Sequence, residues 1–175
     1  MLMRVVEERD FAEVVQLANW AYRGLPGEAA SWNAESAILE GKRLNEDLLR
    51  EELAEKKDGA LLVFRDAADE PLLGTVWVNP EKDGVWYLGL LTVAPNRQDR
   101  GLGRQFLEAA EVYVREHRGT KVEMTVLEVR VGLMAWYERR GYAKTGEMRP
   151  FPYHDERYGK ALRDDLRFVV LEKTL

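Results

Sequence analysis

The sequence predicts a mixed α/β sandwich, a central, strongly twisted mixed sheet of about six or seven strands with helices on both faces. Three observations carry this expectation. Short apolar, β-branched runs alternate along the chain with segments of helical periodicity. One apolar run, Val85 to Val93, leads through a glycine-containing loop into a periodic helix and then another strand, most simply a parallel crossover. The 175 residues, 46% hydrophobic and 33% charged, suit one domain over 1–175, with no repeat, low-complexity tract or linker to divide it.

The elements follow in order. Met3 to Glu7 is a short β-branched run, and Asp10 with Glu13 three residues on resembles a capping box. Phe11, Val14, Val15, Ala18 and Ala21 or Tyr22 then recur at helical spacing. Leu25 to Trp32, with Pro26 and Gly27, breaks that helix as a loop, and Asn45 caps a second helix that buries Leu48, Leu49 and Leu53. Ala60 to Phe64 and Leu72 to Val78 read as a hairpin across the turn-rich Asp66 to Glu70. The nearly continuous apolar character of Val85 to Val93 predicts burial on both faces.

Leu102, Phe106, Ala109 or Ala110, and Tyr113 mark the helix after the glycine loop, which ends near Gly119. Val122 to Leu127 is the next strand, Leu133 to Arg140 a short helix closed by Gly141, and Tyr142 to Thr145 the start of a further strand. Leu166 to Leu171 is the last strand. The segment Arg149 to Asp165 is too long and irregular for an ordinary turn, and its aromatic run Phe151 to Asp155 suggests a lid or packed loop.

Composition narrows the chemistry. A net charge of −5 provides no general nucleic-acid footprint, although Arg97, Arg100 and Arg104 crowd one loop. With no cysteine, disulfides, thiolate zinc sites and a Cys nucleophile are excluded, and His117 and His154 lack metal-ligand spacing, so no metal is expected. No run approaches the roughly 18 apolar residues of a membrane span, and the N-terminus lacks a signal-type apolar stretch, so the expectation is a soluble, cytoplasmic protein.

The densest information lies in Leu88 to Tyr113, where a strand meets Gln98-x-x-Gly101-x-Gly103 and then a helix. A helix N-terminus presents unpaired N–H groups and about half a positive charge, a natural cradle for phosphate. The loop is not a Walker A motif, since no Gly-Lys-[Ser/Thr] follows, and it lacks the third glycine of a dinucleotide fingerprint. By itself it also fits a tight turn with no ligand.

Its surroundings are more specific. Leu91-Thr92-Val93-x-Pro95 precedes Gln98-Asp99-Arg100-Gly101-Leu102-Gly103, and Tyr137-Glu138-Arg139-Arg140-Gly141-Tyr142 follows the next strand. Together these resemble the GNAT superfamily of acyl-CoA-dependent N-acetyltransferases, through its Gln/Arg-x-x-Gly-x-Gly/Ala and Tyr-x-x-x-Gly-Phe/Tyr segments. The resemblance implies a GNAT-like fold, acetyl-CoA as co-substrate, and a small-molecule or peptide amine as acceptor. It also implies that the amides of Gln98 to Arg104 hold the CoA pyrophosphate, and that the main chain of Leu91, Thr92 and Val93 pairs with the pantetheine arm. Tyr137 becomes the proton donor to the departing thiolate. Family members often pair through a sheet edge or the C-terminal region, so a homodimer is compatible.

Two departures from the family pattern stand out. The strand Val85 to Val93 carries no carboxylate where many relatives place a glutamate, which leaves Glu123 as a candidate general base, directly or through water. A surface ion-pair role for Glu123 and a water chain ending at main-chain carbonyls remain open. Arg130 stands where relatives commonly carry asparagine; it either reaches the acceptor site or CoA channel or is a solvated helix-start residue. Trp20, Tyr22, Arg23 and Trp32 bracket the first inter-helix loop, and Trp32 and Tyr153 are candidate acceptor-binding residues. The acidic stretch Glu46 to Glu55 reads as a solvated helix face. The competing readings are a noncatalytic acyl-CoA-binding regulatory module, and a transferase using another acyl-CoA or an oxygen acceptor.

Overall fold

A computed structural model describes residues 1–24, 34–98 and 100–175. The expected loop Leu25 to Trp32, Trp32 itself and Asp99 lie outside the described residues. The chain forms β1 (Leu2–Val5), α1 (Phe11–Arg23), β2 (Leu39–Glu40), α2 (Glu46–Glu55), β3 (Ala60–Arg65), β4 (Leu72–Pro80) and β5 (Val85–Val93). It continues with α3 (Leu102–Glu116), β6 (Lys121–Leu127), α4 (Val131–Glu138), β7 (Ala143–Pro150), β8 (Lys160–Ala161) and β9 (Arg167–Thr174). Seven strands make one sheet in the order β1-β3-β4-β5-β6-β9-β7, while β2 and β8 pair separately.

Alternation along β3 explains the layers. Leu61 and Val63 point into a core built with α1 and α2, whereas Ala60, Leu62 and Phe64 point into one built with α3 and α4. The sheet is therefore covered on both faces, as the apolar runs predicted. Burial on both faces belongs to β3 and β4, however. In β5 the residues Val85, Tyr87, Gly89 and Leu90 are only partly buried. Three of these four (Tyr87, Gly89 and Leu90) line a cleft, so the apolar character of β5 serves a binding surface as well as a core.

The parallel crossover is present but brief: β5 pairs with β6 only over Val85–Tyr87 against Lys121–Glu123. Beyond that point β6 continues its ladder with β9 as far as Leu127. A register shift against β4 between Thr75 and Trp77 marks a bulge in β5, where Leu90 takes the unusual φ of 45°. The buried hydroxyls of Thr75 and Thr92 both donate to the Leu90 carbonyl, at 3.0 and 3.1 Å, and hold this strained residue.

Two helix starts illustrate what local sequence does and does not decide. Asn45 caps α2, its side chain accepting from Leu48 N at 2.8 Å. The expected Asp10/Glu13 box is not made. Asp10 instead accepts from Glu7 N at 2.8 Å and from Arg4 and Arg65, while Glu13 accepts from Leu72 N and Arg65. In α3 the buried face is Phe106, Leu107, Ala110, Glu111 and Val114, slightly rotated from the expected one. Glu111 is 3% exposed because Tyr142 and Lys173 donate to it, tying α3 to β9 and to the residue before β7.

Candidate active site

The divergence of β5 from β6 opens the principal cleft, about 530 Å³, whose wall includes Tyr87 to Leu91 from β5 and Met124 to Leu127 from β6. Tyr22 of α1 reaches this opening, its hydroxyl 3.4 Å from the Leu91 carbonyl oxygen. Tyr87 and Thr125 face each other across the strands with their hydroxyl oxygens 3.0 Å apart. Tyr137, on α4, lines the same cleft and is 6% exposed. Its ring meets Trp136 and Tyr142 edge-on, so the motif tyrosine is both a packed aromatic and a cleft residue. Burial, aided by the nearby Tyr22 and Tyr87, pushes its hydroxyl far above the ordinary tyrosine range, while Arg130 and Arg140 act against the shift. At neutral pH the Tyr137 hydroxyl is therefore protonated.

The glycine loop builds a second, adjoining hollow of about 250 Å³ from Val93, Gln98, Gly101, Leu102, Gly103, Arg104, Trp136 and Arg140. Gly101 begins α3 at φ 72°, a conformation that suits glycine, and no side chain caps the helix start. Arg140 stacks on Trp136 with its guanidinium carbon 3.5 Å from the ring centre and donates to the Trp136 carbonyl at 2.6 Å. Its Nε is buried with no protein acceptor among the described residues. Amide-rich backbone, a helix N-terminus and an arginine with a spare donor fit the pyrophosphate of CoA. Arg140 and Trp136 were inside or beside the recognised tyrosine segment; only their four-residue spacing across the C-terminal end of α4 could have suggested this joint position.

The remaining expected site residues divide. Arg130 lines the main cleft, only 11% exposed, with Nη1 3.3 Å from Glu35, which also binds Arg23 at 3.3 Å. It is therefore not a solvated helix-start residue. Glu123 pairs with Arg149 at 2.7 Å and is absent from the cleft wall, although Thr125, two residues on and on the same strand face, belongs to it. Tyr153 is 43% exposed, and its hydroxyl accepts from Leu166 N at 2.7 Å. From that segment it is Phe151, Pro152, Asp155, Tyr158 and Gly159 that line the cleft. Glu52, expected on a solvated face, lines it too and accepts a hydrogen bond from the Tyr158 hydroxyl, so part of α2 belongs to the site. These long-range meetings, with Glu35 and Arg43, carry no local sequence signal.

A model of the acetyltransferase (GNAT) family matches residues 14–142, well over half of the chain. The chain belongs to the GNAT family. As a GNAT acetyltransferase it is expected to use acetyl-CoA and an amine acceptor. Its fold agrees with that of a ribosomal-protein-alanine N-acetyltransferase from Brucella melitensis, at 17% identity, covering 100% of both chains, with a TM-score of 0.71. An N-acetyltransferase from Staphylococcus aureus Mu50 is similar at 12% identity, covering 99% and 97% of the two chains, TM-score 0.68. The ribosomal-protein-S18-alanine N-acetyltransferase of Escherichia coli gives 14% identity, 99% and 92% coverage, and a TM-score of 0.65. No curated protein sequence matches significantly. At these identities the likeness concerns the GNAT fold. No helix among the described residues is long and apolar enough to cross a membrane, and no group of three His, Asp or Glu there could hold a metal.

Proposed function

We propose that this GNAT protein transfers an acetyl group from acetyl-CoA to a primary amine by direct attack within a ternary complex. The observation that carries the reading is the closeness of two hollows along the same elements: Val93 and Trp136 line the one at the helix-start glycine loop, and Leu91 and Tyr137, from the same strand and helix, line the one in the opening between β5 and β6. Amides of Gln98 to Arg104, with Arg140, would hold the pyrophosphate. The β6-facing edge at Thr92 and Val93, where β6 no longer pairs, would receive the pantetheine arm. The main chain at Leu91 contributes to the same edge.

The acceptor must lose a proton before its lone pair forms the N–C bond to the acetyl carbonyl, because alkylamines are largely protonated near neutrality. The C–S bond then breaks, and the thiolate takes a proton that Tyr137 is suited to supply. On the acceptor side the Tyr87 and Thr125 hydroxyls, beside Glu123 on β6, offer a route for the amine proton through water. Glu123 acting directly would have to leave Arg149.

Initial rates of CoA release with both substrates varied test the reading. Intersecting double-reciprocal lines and amide product are expected. An acetyl-enzyme isolated from acetyl-CoA alone would overturn direct attack, and thioester binding without turnover of any amine or alcohol would establish the noncatalytic alternative. The same panel with longer acyl thioesters separates acetyl from other acyl donors.

A further inference from the structure

We infer that the acceptor amine carries a carboxylate, and that Arg43, lodged between the rings of Tyr22 and Tyr158, is the residue that binds it. This deepens the acetyltransferase reading and rests on it for the location of the acceptor.

The argument comes from the charges around the cleft. Among the carboxylates of its wall, Glu35 is held by Arg23 and Arg130, Asp155 by Arg157, Glu52 by Tyr158 with Lys56 at 4.0 Å, and Glu81 by Asn79. Among the cations, Arg130 is engaged by Glu35. Arg43 differs: it is only partly exposed, and no carboxylate among the described residues lies within ion-pair distance of it. Its guanidinium carbon instead lies 5.3 Å from the Tyr22 ring centre and 5.1 Å from that of Tyr158. Aromatic faces offset part of the cost of holding a cation in a cleft, but they do not engage its five N–H donors as carboxylate oxygens do.

The side chain is also placed in advance. Asn19 accepts from the main-chain N–H of Arg43 at 2.7 Å and donates to the Leu44 carbonyl at 2.8 Å, fixing the backbone from which Arg43 projects. A planar fork held in this way matches two carboxylate oxygens. With the carboxylates of the wall already engaged, one singly charged carboxylate matches the single cation Arg43, whereas a phosphate dianion would exceed it. Tyr22 links this group to the reaction centre, since its ring contacts Arg43 while its hydroxyl approaches Leu91. Amine and carboxylate must therefore lie within about the length of one tyrosine side chain, as in a free amino acid. The amino group at the N-terminus of a folded protein has no carboxylate of its own backbone at that distance.

The test uses the full chain and a panel of α-, β- and γ-amino acids, each beside its carboxamide and its decarboxylated amine. CoA release is measured, and binding is measured separately by saturation-transfer NMR in the presence of CoA. The expected result is a preference of roughly 10- to 100-fold in kcat/KM for the carboxylate over its carboxamide, as for a hydrogen-bonded ion pair. Arg43→Met should raise KM for the amino acid and erase the preference, with CoA affinity unchanged. Arg43→Lys, which keeps the charge and loses the fork, should fall between and serves if the Met variant does not fold. Equal use of carboxylate and carboxamide, better use of a peptide, or a preference that persists in both variants would overturn the inference. If no amine turns over, the acetyl-transfer reading fails, and the binding comparison still decides Arg43: carboxylate-selective binding supports it, and unselective or absent binding sinks it.

Discussion

At the residue scale, Tyr137 and Asp10 show burial used in opposite ways. Burial keeps the Tyr137 hydroxyl protonated, so Tyr137→Phe should lower kcat about 10²-fold or more while leaving acetyl-CoA affinity intact, as stopped-time rates and equilibrium binding would report. Unchanged turnover with acetyl transfer rate-limiting would remove Tyr137 from the reaction. Asp10 is 1% exposed, and burial alone would raise its pKa. Hydrogen bonds from Arg4, the Glu7 amide and Arg65, with the Arg4 charge, outweigh that effect and hold it at about 2, below the ordinary 3.8. A folded-state pKa below the unfolded one adds stability that is present above pH 4 and lost as pH falls through the folded value. The expected loss is about 2 kcal/mol between pH 4 and 2, and Asp10→Asn should lack that slope in pH-dependent denaturant melts.

The bulge in β5 belongs to the scale of elements. Leu90 is strained, and the two buried threonine hydroxyls that bond its carbonyl stabilise the distortion. The double variant Thr75→Val, Thr92→Val should cost about 1–3 kcal/mol in chemical denaturation. It should also impair kcat, because the edge at Leu91 to Val93 would lose its aim. At the other end of the loop, Gly101→Ala places a side chain at φ 72° and should cost about 1 kcal/mol, with weaker CoA binding measured by calorimetry. The glycine and the Asn45 cap were legible because each acts within a few residues. The bulge was not, because Thr75 and Thr92 read as ordinary β-branched strand residues until strand register sets both against Leu90. Asp10 was misread for a related reason: two arginines, Arg4 and Arg65, compete with the local cap, and Arg65 is distant in sequence.

At the scale of the molecule, the layered sheet and its crossover followed from periodicity, yet strand order did not. The insertion of β9 between β6 and β7 depends on pairings such as Thr125 with Val170 and Ala143 with Glu172, which no local pattern specifies. The proposed donor side rests on two short motifs, each readable within a few residues. The cleft proposed for the acceptor gathers Tyr22, Arg43, Glu52, Thr125 and Tyr158 from five separate segments and became visible only in three dimensions. Because CoA would bridge these parts in the native state alone, saturation at about 100 times Kd should add roughly 2.7 kcal/mol. For a chain of this size that corresponds to a Tm increase of about 5–10 °C by differential scanning calorimetry, with free pantetheine giving much less.

The short seam between Val85–Tyr87 and Lys121–Glu123 has a mechanical consequence. It joins two stiff plates, β1-β3-β4-β5 on one side and β6-β9-β7 on the other, near the vertex of a wedge. A bulkier acyl group would act as a lever against that vertex, so tolerance for chain length would be governed by the compliance of the joint as much as by the side chains lining the gap.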